Sequence, residues 1–250
     1  MLDLLVPQEH LLLLAFLLAF GLVLWLAHRQ RRGDLGSTFR DIPAFNSLRR
    51  SLSRSVESGH PIHLGLGVGG VSTDLAADSL AALEIVDAVA QGSSSADRLP
   101  IITLADPTLL PLVQDRVRAA AGTRDVRGQA ENVHWVGPSP AAYAAGVMGA
   151  LGSEVFETSV LAGVFGDEYL LMGGAGEQCR TQQIGAVSDP VVLPFVYATA
   201  DELLIGEELY AAGAYLSEKP WHLASLRAQD WMRWALVLVI VTMVVANTFL

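Results

Sequence analysis

Three glycines and a scatter of carboxylates are the residues of this chain that could do chemistry. Gly65, Gly67 and Gly70, in HLGLGVGG (63–70), spell G-x-G-x-x-G. That turn brings the end of a strand close to a pyrophosphate held at a helix N-terminus. A dinucleotide site also wants an acid about twenty residues on, at the end of the second strand. Asp87 has that spacing but falls inside a helical pattern, and Asp106 has the topological place but lies too far along the chain. The residues VSTD after Gly70 also push the helix start later than the fingerprint expects. The stretch therefore reads as a structural corner, and no cofactor is expected; a nucleotide is the alternative.

The residues that follow each strand pattern form a second set: Asp106, Ser139, Asp167 with Glu168, Asp189, and Glu207 with Glu208. In a parallel sheet they converge on the carboxyl edge, where ligands of such folds bind. Together they would make an acidic, polar-lined site for a cation or a polar organic molecule. Each would equally well open a helix, because Ser and Asp accept from unpaired N–H groups and Glu suits the positive end of the helix dipole. Glu207 and Glu208 together exceed what one cap needs.

Other chemistries lack parts. His60 and His63 form H-x-x-H at the start of a strand, where residues three apart face opposite ways, so they make no chelate. No metal site is expected. Cys179 is the single cysteine, which excludes a thiolate cluster and an intrachain disulfide, and it reads as a small filler. Lys219 is the single lysine, so Schiff-base and Walker-type chemistry have almost nowhere to reside. Ser139 has neither a matching histidine nor a G-x-S-x-G elbow. No complete catalytic set is present.

The elements that must position these residues alternate. PIHLGLG, PIITLA, NVHWVG, TSVLAGVFG, QQIGAV and DELLIG read as strands, and DLAADSLAALEIVDAVA, PTLLPLVQDRVRAAAG, SPAAYAAGVMGALG and EELYAAGAYLS as helices. The pattern predicts a doubly wound, mostly parallel, Rossmann-like α/β sheet over 40–222. Before it, Phe45, Leu48, Leu52 and Val56 recur at helical spacing opposite Arg49, Arg50 and Arg54. This helix, 45–58, either covers the sheet or lies on anionic headgroups.

Composition places the domain beside a membrane. The chain is 52% hydrophobic, and the excess sits in LLLLAFLLAFGLVLWLA (11–27) and WALVLVIVTMVVANTFL (234–250). Each is long enough to cross a hydrocarbon core of about 30 Å with a few flanking residues. The expected layout is a transmembrane helix over 8–28, a linker over 29–39, the α/β domain, a connecting helix over 223–233 and a second transmembrane helix over 234–250. Ala15 and Ala19 would let another helix approach the first span closely. Arg29, Arg31 and Arg32 follow that span, and Arg227 and Arg233 precede the second. The positive-inside rule then predicts a two-pass protein of the cell membrane, its central domain cytoplasmic and both termini outside. With 26 acidic against 16 basic residues, nucleic acid is not an expected partner.

FGDEYLLM, SLRAQDW and above all Gly206-Glu207-Glu208-Leu209-Tyr210-Ala211-Ala212 resemble a family of prokaryotic two-anchor membrane proteins catalogued only as a domain of unknown function. The resemblance implies the two anchors and the α/β domain and carries no catalytic residue. The expected function is a membrane-anchored structural or assembly subunit, as a homo-oligomer or within a larger membrane complex. The alternative is a membrane-bound enzyme or sensor that binds a small molecule or nucleotide at the carboxyl edge of the sheet.

Overall fold

Ile62, Leu64 and Leu66 alternate with His63, Gly65 and Gly67 along the first strand, and the two sets meet different helical layers. That alternation runs through a computed structural model describing residues 14, 16–22, 25, 40–96, 98–122, 132–217 and 220–249. The linker at 29–39, Ala15, Lys219 and the rest of the N-terminal apolar run lie outside the described residues. The chain forms two units, Asp41–Ser217 and one made of Met1–Arg40 with Glu218–Leu250.

In the first unit, α1 (Pro43–Ser58) leads into β1 (Ile62–Gly67), α2 (Ala76–Gly92) and β2 (Ile101–Leu104). A 3₁₀ turn (Pro107–Leu109) enters α3 (Leu110–Ala121), followed by β3 (Val133–Trp135) and α4 (Pro140–Ser153). The second half runs β4 (Thr158–Val164), α5 (Tyr169–Gln178), β5 (Gln182–Val187), α6 (Leu193–Thr199), β6 (Glu202–Ile205) and α7 (Glu207–Ser217). Every strand pairs parallel to its neighbours, in the order β3-β2-β1-β4-β5-β6. That is the order of dinucleotide-binding α/β domains, with the chain reversing direction across the sheet between β1 and β4.

One face of the sheet is aliphatic. Ile62, Leu64, Leu66, Ile102, Leu104, Val160, Ala162, Ile184 and Ala186 pack there against α1, α2, α3 and α7. Phe45 and Leu48 of α1 are 2% and 1% exposed in that layer. Burying each contributes roughly 1.5–3 kcal/mol. Arg49 donates to the Tyr215 carbonyl, and Arg54 pairs with Glu157 at 2.8 Å and with Gln182 at 2.5 Å. Phe45 and Leu48, with Leu52 packed against the same cluster, thus cover the sheet, while Val56 stays exposed.

The other face carries His63, Gly65, Thr103, Ser159 and Gly185 beneath α4, α5 and α6. Helix α4 lies against Gly65 closely enough that a Cβ there would stand 2.9 Å from the Tyr143 hydroxyl. The same arrangement recurs on β5, where a Cβ on Gly185 would stand 2.5 Å from the Tyr169 hydroxyl. Glycine on this face makes room for two tyrosines. Neither α5 nor α6 has a strong signal in the sequence: GGAG interrupts α5, and Pro194 sits in the seven residues of α6.

In the second unit α8 (Pro220–Phe249) is one continuous helix of 30 residues, so the connecting and spanning segments expected at 223–233 and 234–250 are parts of a single element. Its stretch Ser225–Val245 is the one helix among the described residues long and apolar enough to cross a membrane. Residues 14, 16–22 and 25 of the N-terminal run are helical.

Gly67 closes β1 with φ +71°, and a Cβ there would lie 1.9 Å from the Val164 carbonyl oxygen. Substitution by valine therefore meets both left-handed backbone strain and a backbone clash. Gly67→Val is expected to destabilise the full-length protein by at least about 1–3 kcal/mol in chemical denaturation. A variant as stable as the parent would show that the turn is neither strained nor closely packed.

Candidate functional site

The carboxyl edge holds the glycine turn and the residues that follow each strand, and local contacts divide them into separate groups. Gly70 lies against Asp106, whose Oδ2 would be 2.2 Å from a Cβ on that glycine. Asp106 caps the 3₁₀ turn, its Oδ1 accepting from Thr108 N at 2.7 Å and from the Thr108 hydroxyl at 2.6 Å. The Thr108 hydroxyl in turn accepts from Val71 N at 3.1 Å. A carboxylate thus faces the third glycine of the fingerprint. Helix α2 begins only at Ala76, and its N-cap Leu75 offers no side-chain cap. Asp87 lies within α2 and pairs with Arg116 of α3.

Ser139, Glu168, Asp189 and Glu208 also serve neighbouring backbone. Ser139 is the N-cap of α4 and accepts from Ala142 N at 3.3 Å. Asp189 accepts from Val191 N at 2.9 Å, and Glu208 from Ile205 N at 3.2 Å. Glu207 opens α7. Glu168 is buried, 5% exposed, and its Oε1 accepts from Gly166 N at 2.8 Å. Of this set, Ser139, Asp167 and Glu168 meet in one depression. They share a cleft of about 550 Å³ with Leu170, Leu171 and Phe195.

Two polar clusters lie beyond the set marked in the sequence. Asp78, in the first turn of α2, accepts from the hydroxyls of Ser188, just past β5, and Tyr210 of α7. Burial, the hydrogen bond to Asp78 and the charge of that carboxylate all raise the Tyr210 pKa. Asp78 in the sequence is an ordinary first-turn acid, but Tyr210 belongs to the stretch most specific to the resembled family.

The second cluster is buried beneath the glycine turn. His63 Nδ1 lies 2.9 Å from Ser159 Oγ, and Nε2 lies 3.1 Å from Thr103 Oγ1. The Tyr143 hydroxyl donates to the Thr103 carbonyl at 3.3 Å and accepts from Gly67 N at 3.2 Å. Burial pushes the Tyr143 phenol up to about 12. Strands β4, β1 and β2, helix α4 and the turn are joined by one fully enclosed polar chain. Both imidazole nitrogens of His63 are engaged by hydroxyls, while His60 lies exposed at the surface.

Fold and site together define an all-parallel Rossmann-like α/β domain whose carboxyl-edge polar groups bond extensively to its own helices and loops. The chain belongs to the family described as Domain of unknown function (DUF6754), whose model matches residues 4–250. No curated protein and no solved structure matches it.

Burial lowers the His63 pKa from 6.5 to about 4, so the folded protein keeps the ring neutral where the unfolded chain takes up a proton. The stability this difference contributes is whole above about pH 6.5 and is lost as pH falls towards about 4. The loss amounts to about 3 kcal/mol. His63→Phe, which has no ring proton to gain, is expected to be less stable at neutral pH and to show a shallower fall on acidification. Parallel acid profiles from urea denaturation of the two full-length proteins would contradict a neutral buried His63.

Proposed function

We propose that this chain is a membrane-anchored structural or assembly subunit, forming a homo-oligomer or joining a larger membrane complex. The observation that carries the reading is the outer surface of α4 and α5. Helix α4, PAAYAAGVMGALGS, has no charged residue, and Ala141, Ala142, Ala145, Met148, Gly149 and Gly152 are exposed along it. Leu170 and Leu171 extend the patch onto α5. The opposite layer is charged, with Arg49, Arg54, Asp115 and Arg118 at its surface. In a chain of net charge −10, self-association is least opposed where the surface carries no charge. Small side chains also let a second helix approach closely.

The anchoring part of the proposal rests on α8 and on the apolar run over 8–28. The exposed side chains of α8 from Leu236 to Val241 are all apolar, which suits lipid. Two spans, a cytoplasmic central domain and outside termini follow from the arginines beside both apolar runs, in the prokaryotic membrane setting that the family resemblance implies. A second reading, a small molecule or nucleotide bound at the carboxyl edge, is favoured by the strand order, which places a switch point between β1 and β4.

Two measurements test the proposal. Ala145→Glu combined with Met148→Glu puts two charges on the uncharged face, and is expected to lower the detergent-solubilised particle to the mass of one chain in light scattering. A parent protein that already has the mass of one chain over a wide concentration range would refute assembly with itself. For topology, Cys179 is an exposed native thiol. It should resist an impermeant maleimide in intact cells and react once the membrane is permeabilised. Labelling in intact cells would place the domain outside.

A further inference from the structure

We infer that the cleft along the amino edge of the sheet binds a small zwitterion, a molecule with both a carboxylate and a protonated amine, as free amino acids and short peptides have. The cleft lies at the opposite edge from the glycine turn, so the inference is independent of both readings above. Glu157, Gln182 and Asp201, which stand at the starts of β4, β5 and β6, line it. Its volume of about 810 Å³ falls in the range of roughly 300–1,000 Å³ usual for small-ligand sites.

An enclosed oxygen in the lining needs a donor. Gln183 lines the cleft and is 2% exposed, and its Oε1 has no hydrogen-bond partner among the described residues. Its Nε2 donates to the Gly173 carbonyl at 2.8 Å and to the Thr199 carbonyl at 3.0 Å, so the amide cannot turn without losing both bonds. A side-chain oxygen so buried normally has a donor beside it. The ammonium or amide N–H of a ligand supplies one.

Charge selects the rest of the ligand. Arg54 is answered within the protein by Glu157. Arg180 and Glu177 also line the cleft, and neither side chain has a hydrogen bond or ion pair among the described residues. Asp201 uses Oδ2 to accept from Gln183 N, which leaves its Oδ1. A carboxylate matches the Arg180 guanidinium through two parallel hydrogen bonds, and an ammonium matches the acids. A simple anion would meet Glu177 and Asp201, and a simple cation would meet Arg180.

Calorimetric titration of the full-length protein in mild detergent tests this, with alanine and alanylalanine as probes and their N-acetyl and C-amide forms as comparators. At least one probe is expected to bind saturably below about 10 mM, and its blocked forms at least about tenfold more weakly. The probe that binds more tightly distinguishes a free amino acid from a short peptide. Arg180 has φ +56°, a conformation that glycine takes without strain. Arg180→Gly should therefore keep the fold and lower affinity about tenfold. Glu177→Gln, at an exposed position, should lower it about threefold. Gln183→Met removes the enclosed acceptor and should lower it about tenfold; if that variant does not fold, the two surface variants decide the outcome. Absence of saturable binding by both probes, equal binding of a blocked form, or undiminished affinity in a folded variant would overturn the proposal.

Discussion

The hydroxyl of Tyr143, seated over Gly65, is the contact on which the rest of this domain depends. A side chain at Gly65 would collide with that hydroxyl and with Leu161, so β1 needs glycine at the point where α4 lies against it. From there the hydroxyl accepts from Gly67 N and donates to the Thr103 carbonyl, joining the turn after β1 to the strand beside it. His63, Thr103 and Ser159 continue the connection across the three central strands. Each of these groups is fully enclosed and has its partner, and removing one would leave the others buried without theirs. The polar face of the sheet therefore takes part in holding the fold together, alongside the aliphatic one.

This recasts the glycine-rich stretch. In a dinucleotide site the glycines open space for phosphate, and the turn amides point at it. Here the volume next to Gly65 holds Leu161 and Tyr143, that next to Gly67 holds the Val164 carbonyl, and that next to Gly70 holds the Asp106 carboxylate. The Gly67 amide donates inward. The same residue pattern therefore serves a strand order associated with nucleotide binding while its glycines accommodate protein atoms.

Much of the frame was legible because it is written in local patterns. Alternating short apolar runs and alanine-rich segments announce a parallel α/β sheet, and all six strand segments lie where those runs do. EELYAAGAYLS coincides with α7 end to end. Strand order is set by crossovers that leave no local mark, and α5 and α6 are obscured by glycine and proline whose cost is offset by packing against the sheet. The candidate site was legible one residue at a time: a Ser, Asp or Glu after a strand is visible, but what it bonds is not. Asp78 looks like a first-turn acid until Ser188 and Tyr210, both more than a hundred residues away, arrive beside it. His63 is half of an unconvincing H-x-x-H until β2 and β4 supply its hydroxyls.

The direction in which the Gly67 amide points separates a packed corner from a phosphate cradle, and hydrogen exchange at that amide reads it. The account predicts slow exchange in the full-length protein, marked acceleration in Tyr143→Phe, and no change on adding NAD or magnesium ATP. Fast exchange in the free protein that slows as nucleotide saturates would contradict it.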